Sequence, residues 1–454
     1  MTLTTGEADL IVALANKLAY HQAKNRTLEN YFEGKQRLKD FRISIPPQLS
    51  AVESVVGWAG TAVQVLEERL DFEGWIGADT LGLNDIYRAN NLDVEASLGH
   101  LDAFIFGTGF VTVGSGAAGE PNPLITIESP KHMTGIYDLR LRRLTSAASF
   151  TYDESGTAVA GTLYLPNETI TVERAPGTFG FGGWVDVDRD VHNLGRVPVV
   201  ALPNNPRSSS PHGRSEITRA VRSYTDSAMR TVLGAEVARE FYSAPQRYAL
   251  GASEDVFTDA DGNPLDAWQV YQGRMLMLPA NEDGQIPQVG SFNANSPQPY
   301  LDLIRGYATM LAAETAIPPS YLGFQTDNPA SADAIRQMEA RLVKRAERRQ
   351  RQFGRAWHEV ARMSLLVRDG AIPAEVADVR TQWRDASTPT RAAAADEAVK
   401  LIQAGVLLPD SEVTYNRIGL SDTDKQVLAA EKRAGAASQL VQSLVMATPN
   451  AQVQ

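Results

Sequence analysis

Three short patterns in this chain carry residue types that could do chemistry, and each is incomplete. Gly114-Ser115-Gly116-Ala117-Ala118-Gly119 has the spacing of a dinucleotide-binding turn and follows a strand-like run. The phosphate cradle in such a turn is the start of a helix. Here Glu120-Pro121-Asn122-Pro123 follows, so the segment reads as a hairpin loop. Asp259, Asp261 and Asn263 match the first ligands of a calcium loop, but Pro264 stands where the sharp turn needs glycine, and Val270 where bidentate ligation needs glutamate. His358-Glu359 opens a zinc-protease pattern whose second histidine is replaced by Arg362. The six histidines are scattered, with no two on one helix face within a turn. There is no nucleophile elbow, no P-loop and no cysteine, so neither a disulfide framework nor a thiolate metal site is available. These absences predict a protein without catalytic site, metal or cofactor.

The charged residues are more telling. Arg336, Arg341, Lys344, Arg345, Arg348, Arg349, Arg351 and Arg355 fall on one stretch, offset only by Asp333, Glu339 and Glu347 before Phe353. Pairs such as Glu347 with Arg351 would solvate part of that face. The rest is available to a neighbouring subunit or to phosphates. Apolar residues at Ile335, Met338, Leu342, Ala346, Phe353, Trp357, Val360, Ser364 and Val367 keep helical spacing through the same stretch. At 1.5 Å per residue the helix would span roughly 50 Å. Ser331 is its expected N-cap, with Asp333 in the first turn. Before it, Ile317-Pro318-Pro319 stops another helix, and Gly323 to Pro329 reads as a polar loop.

Helices are expected over residues 7–40, Ser50–Leu70 and Asp85–Gly107, the last with a stripe of Val94, Leu98, Leu101 and Ile105. From Phe110 the period changes to two. Phe110–Val113, Leu124–Ile127, Ala147–Tyr152, Thr162–Leu165, Thr169–Glu173, Trp184–Val187 and Val197–Leu202 read as antiparallel strands. A loop over Asn204–Pro211 leads to a helix capped by Ser215, with Glu216 in its first turn, running to about Phe241. Residues 245–296 read as short strands, with a hairpin signal at Asp261-Gly262. A helix from Pro297 to Ala316 follows. It carries only Asp302, Arg305 and Glu314 as charges and many small residues, so it calls for neighbours on several faces, which a ring of subunits could supply. The tail is expected to be helical over Arg391–Ala404 and Asp422–Ala447.

The run Asn328 to Arg336 followed by Leu342 to Arg349 resembles the portal proteins of tailed bacteriophages, in the SPP1-like branch of actinobacterial phages. Tyr31-Phe32-Glu33-Gly34, Leu194 to Val200, Gly213-Arg214-Ser215-Glu216-Ile217 and Pro245-Gln246-Arg247-Tyr248 are similar to further landmarks of that family, in the same order. The resemblance covers roughly residues 25–370. It implies an α+β, mainly α, portal fold: a helical wing with β region (1–212), a first stem helix (213–241), a small α/β clip (242–296), a second stem helix (297–316), a tunnel loop (317–332), a long wing helix (333–370) and a helical crown (371–454). It implies a ring of about twelve subunits with closed cyclic symmetry, through which double-stranded DNA is packaged and ejected. The implied partners are terminase, scaffold, major capsid protein and head–tail connector proteins, with no membrane. The implied location is the capsid portal vertex, with assembly in the host cytoplasm. Phe324, Gln325, Thr326, Asp327 and Asn328 are the residues that the resemblance places nearest the DNA. Lacking lysine and arginine, they could touch a backbone without gripping it. Arg341, Lys344, Arg345, Arg348 and Arg349 are the expected inter-subunit or DNA-facing cations. The rival readings are another oligomeric head or connector component, or a metal-dependent nuclease.

Composition agrees with this and narrows it. The 454 residues allow two or three domains, and 43% hydrophobic content suits a folded chain. The net charge of −11 argues against a conventional nucleic-acid binder but suits a wall that phosphates must slide past. The N-terminus carries acids early and lacks the pattern of a signal peptide. Val55–Leu66 is too short to span a bilayer. A soluble protein is expected.

Overall fold

The structure is a computed structural model that describes residues 3–38, 54–77, 79–175, 183–243, 247–250, 284, 286, 288–291, 296–324, 332–387, 391–420 and 424–435. It is α+β and divides into two compact units, Met1–Arg384 and Asp385–Gln454. Among the described residues no helix is long and apolar enough to cross a membrane.

The first unit begins with helix α1 (Thr5–Phe32). Its N-terminus is a capping box: the Thr4 hydroxyl accepts from the Glu7 amide, and the Glu7 carboxylate accepts from the Thr4 amide. Ile11, Leu14 and Leu18 form its buried face. They pack on a five-stranded antiparallel sheet, β4 (Met133–Asp138), β5 (Arg143–Tyr152), β6 (Ala158–Tyr164), β7 (Thr169–Arg174) and β8 (Trp184–Asp190), paired in chain order. Alternation does what period two demands: Ile170 and Val172 point to the helix, Thr169 and Thr171 less so. The helix is also held electrostatically. Arg189 donates to Glu7 at 3.0 Å, to Glu168 at 2.6 Å and to Asp186 at 3.0 Å. The hydrogen bond from Arg189 holds the Glu7 carboxyl down at about 2. A depressed carboxyl stabilises the fold above its ordinary pKa of 4.5, and that contribution is lost as pH falls from 4.5 to about 2. Replacing Arg189 by Gln is expected to cost about 1–3 kcal/mol at neutral pH and to flatten the acid limb of stability in that window. Urea unfolding at pH 7 and pH 3 checks both.

Helix α2 (Trp58–Glu67) occupies only part of the expected Ser50–Leu70 region, and strand β1 (Phe72–Ile76) follows. The helix expected over Asp85–Gly107 is two: α3 (Leu83–Ala89) and α4 (Leu92–Phe106). Asn91 breaks them at φ 48°. Beside it the Asn90 amide donates to the Ile86 and Pro123 carbonyls and accepts from the Ile125 amide. The expected stripe on α4 is also corrected. Ile105 is buried as expected, but Val94 and Leu98 are exposed, whereas Ala96, Gly99, His100 and Ala103 are buried. The helix turns its small residues to the sheet β3 (Leu124–Glu128), β2 (Thr108–Gly114), β9 (Val199–Pro203), because the backbones meet there. A Cβ on Gly109 would lie 2.7 Å from the Gly99 carbonyl oxygen.

Helices α5 (Arg219–Ser243) and α6 (Gln298–Thr315) pack along each other, and the strands β10 (Arg247–Leu250) and β11 (Gln288–Ser291) pair antiparallel beyond α5 and before α6. The expected calcium-like triplet Asp259, Asp261 and Asn263 lies outside the described residues. Helix α6 stops where the prolines require, with Ala316 at φ 59°. The long helix α7 (Ala332–Asp369) has 38 residues. Leu342, Ala346, Phe353, Trp357, Val360 and Ser364 are fully buried as the periodicity predicts, while Met338 is exposed. Ser331 and the side chain of Asp333 lie outside the described residues.

Past α7 the chain stays in the first unit. Strand β12 (Arg380–Trp383) pairs antiparallel with β1, so this unit runs on to Arg384 and does not end with the long helix. The second unit contains α8 (Arg391–Gln403), a short α9 (Glu412–Arg417) capped by Ser411, and helical residues 424–435.

Candidate functional site: an arginine-lined cleft and the feet of a loop

The segment between β9 and α5 is built around Asn204, which is fully buried. Its backbone amide donates to the Gly107 carbonyl, and its side-chain amide donates to the Arg214 carbonyl at 2.7 Å and to Glu216 at 3.0 Å. Gly213 allows this crossing. It sits at φ 80°, and a Cβ there would lie 2.3 Å from the Gly107 carbonyl oxygen. The chain then delivers Glu216 into the interior, its amide donating to the Phe104 carbonyl. Ser215 is therefore not the helix cap. Its hydroxyl accepts from the Ile217 amide, while Thr218 accepts from the Val221 amide and starts α5 at Arg219.

Glu216 is where the basic face of α7 lands. Arg345 donates to one carboxylate oxygen at 2.6 Å, and Arg349 to the other at 2.6 Å. Burial pushes the Glu216 carboxyl up, but the two guanidiniums and the Asn204 amide outweigh it and hold it below its usual range. Arg349 is itself buried. Two of the five cations expected to face a neighbour or DNA are thus engaged inside the chain. Of the others, Arg341 donates to the Ala313 carbonyl at the end of α6, and Lys344 pairs with Glu347 at 3.2 Å, in place of the expected Glu347–Arg351 pair. Arg348 is exposed and has no hydrogen-bond or ion-pair partner among the described residues. Arg341, Arg345, Arg348 and Arg349, with Arg214 opposite, line a cleft of about 220 Å³ beside the start of α5.

The loop between α6 and α7 is described only at its feet. Leu322 is buried, and the Phe324 ring meets Trp58 edge to face at 6.4 Å. Tyr321 hydrogen-bonds Glu339, and Arg69 donates to both, at 3.1 and 3.3 Å. Gln325, Thr326, Asp327 and Asn328 lie outside the described residues.

The two chemical-looking patterns that fall on described residues are absorbed structurally. The Gly114–Gly119 run is the β2–β3 hairpin loop, with Glu120 accepting from the Ala117 amide. His358 hydrogen-bonds the Val376 carbonyl, and Glu359 pairs with Arg196 and Arg362. Among the described residues no group of histidines and carboxylates could hold a metal ion. Sequence reasoning missed Glu216, Asn204 and Arg214 as one hub. The signal was the intact run Gly213 to Ile217, in which a carboxylate precedes an apolar helix start.

A family model described as phage portal protein, SPP1 Gp6-like, matches residues 14–438. The portal protein of Mycobacterium phage D29 is 34% identical over 461 residues, covering 97% of this chain and 93% of that protein. The portal protein of Mycobacterium phage L5 is 35% identical over 390 residues, covering 83% and 78%. Among solved structures, a chain in the virion of a native gene transfer agent particle aligns with TM-score 0.41 and 14% identity, covering 80% of this chain and 90% of that one. A chain in the neck of the same kind of particle, computed with C12 symmetry, aligns with TM-score 0.42 and 13% identity, covering 84% and 95%.

Proposed function

The chain belongs to the SPP1 Gp6-like family of phage portal proteins, and on that premise we propose that it forms the ring-shaped channel at one capsid vertex through which double-stranded DNA enters and leaves the head. The observation that carries this is the family match over residues 14–438. The order of elements supports it: paired helices α5 and α6 with the β10–β11 strands beyond them, a proline stop, then the long α7. In this reading α5 and α6 are the stem and the strands beyond them belong to the clip. Residues 317–332 are the loop that reaches the channel, with Phe324 to Asn328 nearest the DNA, and the second unit belongs to the crown. The clip docks terminase during packaging and connector proteins afterwards, and scaffold and major capsid protein meet the ring during assembly. The protein works in the virion after assembly in the host cytoplasm. Its work is mechanical and electrostatic, without bond chemistry.

About twelve copies at −11 each would carry more than a hundred negative charges. Closure of the ring must therefore rest on packing, on local ion pairs and on counterions. Light scattering with negative-stain imaging of the purified chain tests the reading. Rings with a central hole and a mass near twelve times 49.3 kDa are expected. A discrete dimer that cleaves plasmid DNA with Mg²⁺ or Mn²⁺ would sink it.

A further inference from the structure

We propose that the arginine cleft at the start of α5 is a binding site for a phosphate oxyanion. Four of its arginines come from one face of α7, at spacings of four, seven and eight residues, and Arg214 faces them from the β9–α5 segment. The cleft contains two carboxylates. Glu216 is taken by Arg345, Arg349 and Asn204, and Glu314 accepts from the Thr218 hydroxyl at 3.3 Å. Five guanidiniums against two carboxylates leave three positive charges in excess, inside a chain whose net charge is −11.

The positive end of the α5 helix dipole adds to that surplus, although the Val221 amide that lines the cleft is taken by the Thr218 hydroxyl. Arg341 spends its guanidinium on a backbone carbonyl, and Arg348 has no partner among the described residues, so both are free to turn onto a ligand. Guanidinium forks match the edges of phosphate as they match carboxylates. A single carboxylate would cancel one of three excess charges, whereas a phosphate brings up to two. The cleft, at about 220 Å³, has room for several waters at about 30 Å³ each, and so for one tetrahedral oxyanion. Two sources present this chemistry: free inorganic phosphate and the backbone of a nucleic acid.

The test is isothermal titration of the full chain with inorganic phosphate at constant ionic strength, repeated on Arg348→Ala and on Arg341→Ala with Arg348→Ala. Neither residue makes the Glu216 pair, and circular dichroism checks that the variants stay folded. Saturable phosphate binding is expected, weakened about tenfold by each guanidinium removed. A short DNA duplex, followed by fluorescence anisotropy and competed with phosphate, separates the sources. Competition that the double variant loses assigns the site to backbone phosphate, and duplex binding indifferent to phosphate assigns it to the free anion. Equal phosphate affinity in wild type and double variant overturns the proposal. So does the absence of phosphate binding, including the case in which Arg348→Ala lowers the assembled mass because a neighbouring copy's carboxylate fills the cleft. The readout is binding to the chain in whatever assembly state it adopts, so failure here is separable from failure to form rings.

Discussion

Replacing Glu216 by Gln is expected to destabilise the chain by about 3–5 kcal/mol, the cost of leaving a buried charge without its partner. The carboxylate is 8% exposed and Arg349 3% exposed, so water cannot take over the ion pair. Arg345 can turn outward, being only partly buried, but Arg349 cannot. Shape is kept by the substitution, and the Asn204 and Phe104 hydrogen bonds can persist. The loss is therefore electrostatic and concentrated at Arg349. A second pair of variants tests that assignment. Arg349→Met alone should cost less than Glu216→Gln, because Arg345 still neutralises Glu216. Glu216→Leu together with Arg349→Met should recover most of the loss, since an apolar pair of similar volume replaces a desolvated ion pair at little cost. Urea unfolding of the four proteins decides it. A Glu216→Gln variant within about 1 kcal/mol of wild type, the range of an exposed pair, would show that the hub is not held by charge.

This hub also shows where the sequence stops being legible. The basic stretch of α7 was plain, but its partner is 133 residues away, and nothing in the spacing of either segment names the other. Local pattern exposes a helix face; it does not say what covers it. The same limit explains β1 and β12. Phe72-Glu73-Gly74-Trp75-Ile76 lacks clean alternation and has a register shift between Phe72 and Gly74, so only pairing with Arg380–Trp383 makes it a strand. The long periodic elements were legible: α1, the strands β5–β8, the proline stop after α6 and the buried row of α7 all follow from spacing and from residues that break helices, whereas β4 (Met133–Asp138) is missing from the expected strands. On α4 the pattern misled because Val94 and Leu98 looked like a core stripe, while the close approach of Gly99 to Gly109 put small residues inward. The family landmarks carry local constraints of this kind. Tyr31 donates to Asp226 on α5 at 2.8 Å, and burial together with that bond raises its phenol to about 12. Arg196 reaches Glu359 on α7. The order of the landmarks was readable, and the contacts between them were not. The candidate channel residues were readable only through the resemblance, because a short polar loop has no periodicity to argue from.

Lowering the pH from 6.5 toward 3 is expected to remove stability at up to about 1.4 kcal/mol per pH unit through one residue, His100. Its ring is fully buried, stacked on Phe353 with centroids 4.8 Å apart and close to Trp383 at 5.4 Å. Nε2 accepts from the Trp357 indole at 2.9 Å, so that nitrogen carries no proton in the folded state. Burial pulls the imidazole down from 6.5 to about 3. The unfolded chain, with an ordinary histidine, takes up a proton below 6.5 that the folded chain refuses until about 3. Protons therefore favour unfolding across that interval, and the contribution present above pH 6.5 is lost as pH falls, by on the order of 5 kcal/mol in total. The site matters to the whole first unit, because Trp357 also stacks on Phe72 at 4.8 Å and its carbonyl accepts from the Trp75 indole, joining α7 to β1. His100→Gln keeps an acceptor for Trp357 and removes the titration. Other carboxylates and histidines titrate alike in both proteins and cancel in the difference. Urea unfolding at pH 7, 6, 5 and 4 should give a shallower pH dependence for the variant, whatever its stability at pH 7. Parallel curves would mean that the imidazole is protonated in place, with the Trp357 hydrogen bond given up before the fold.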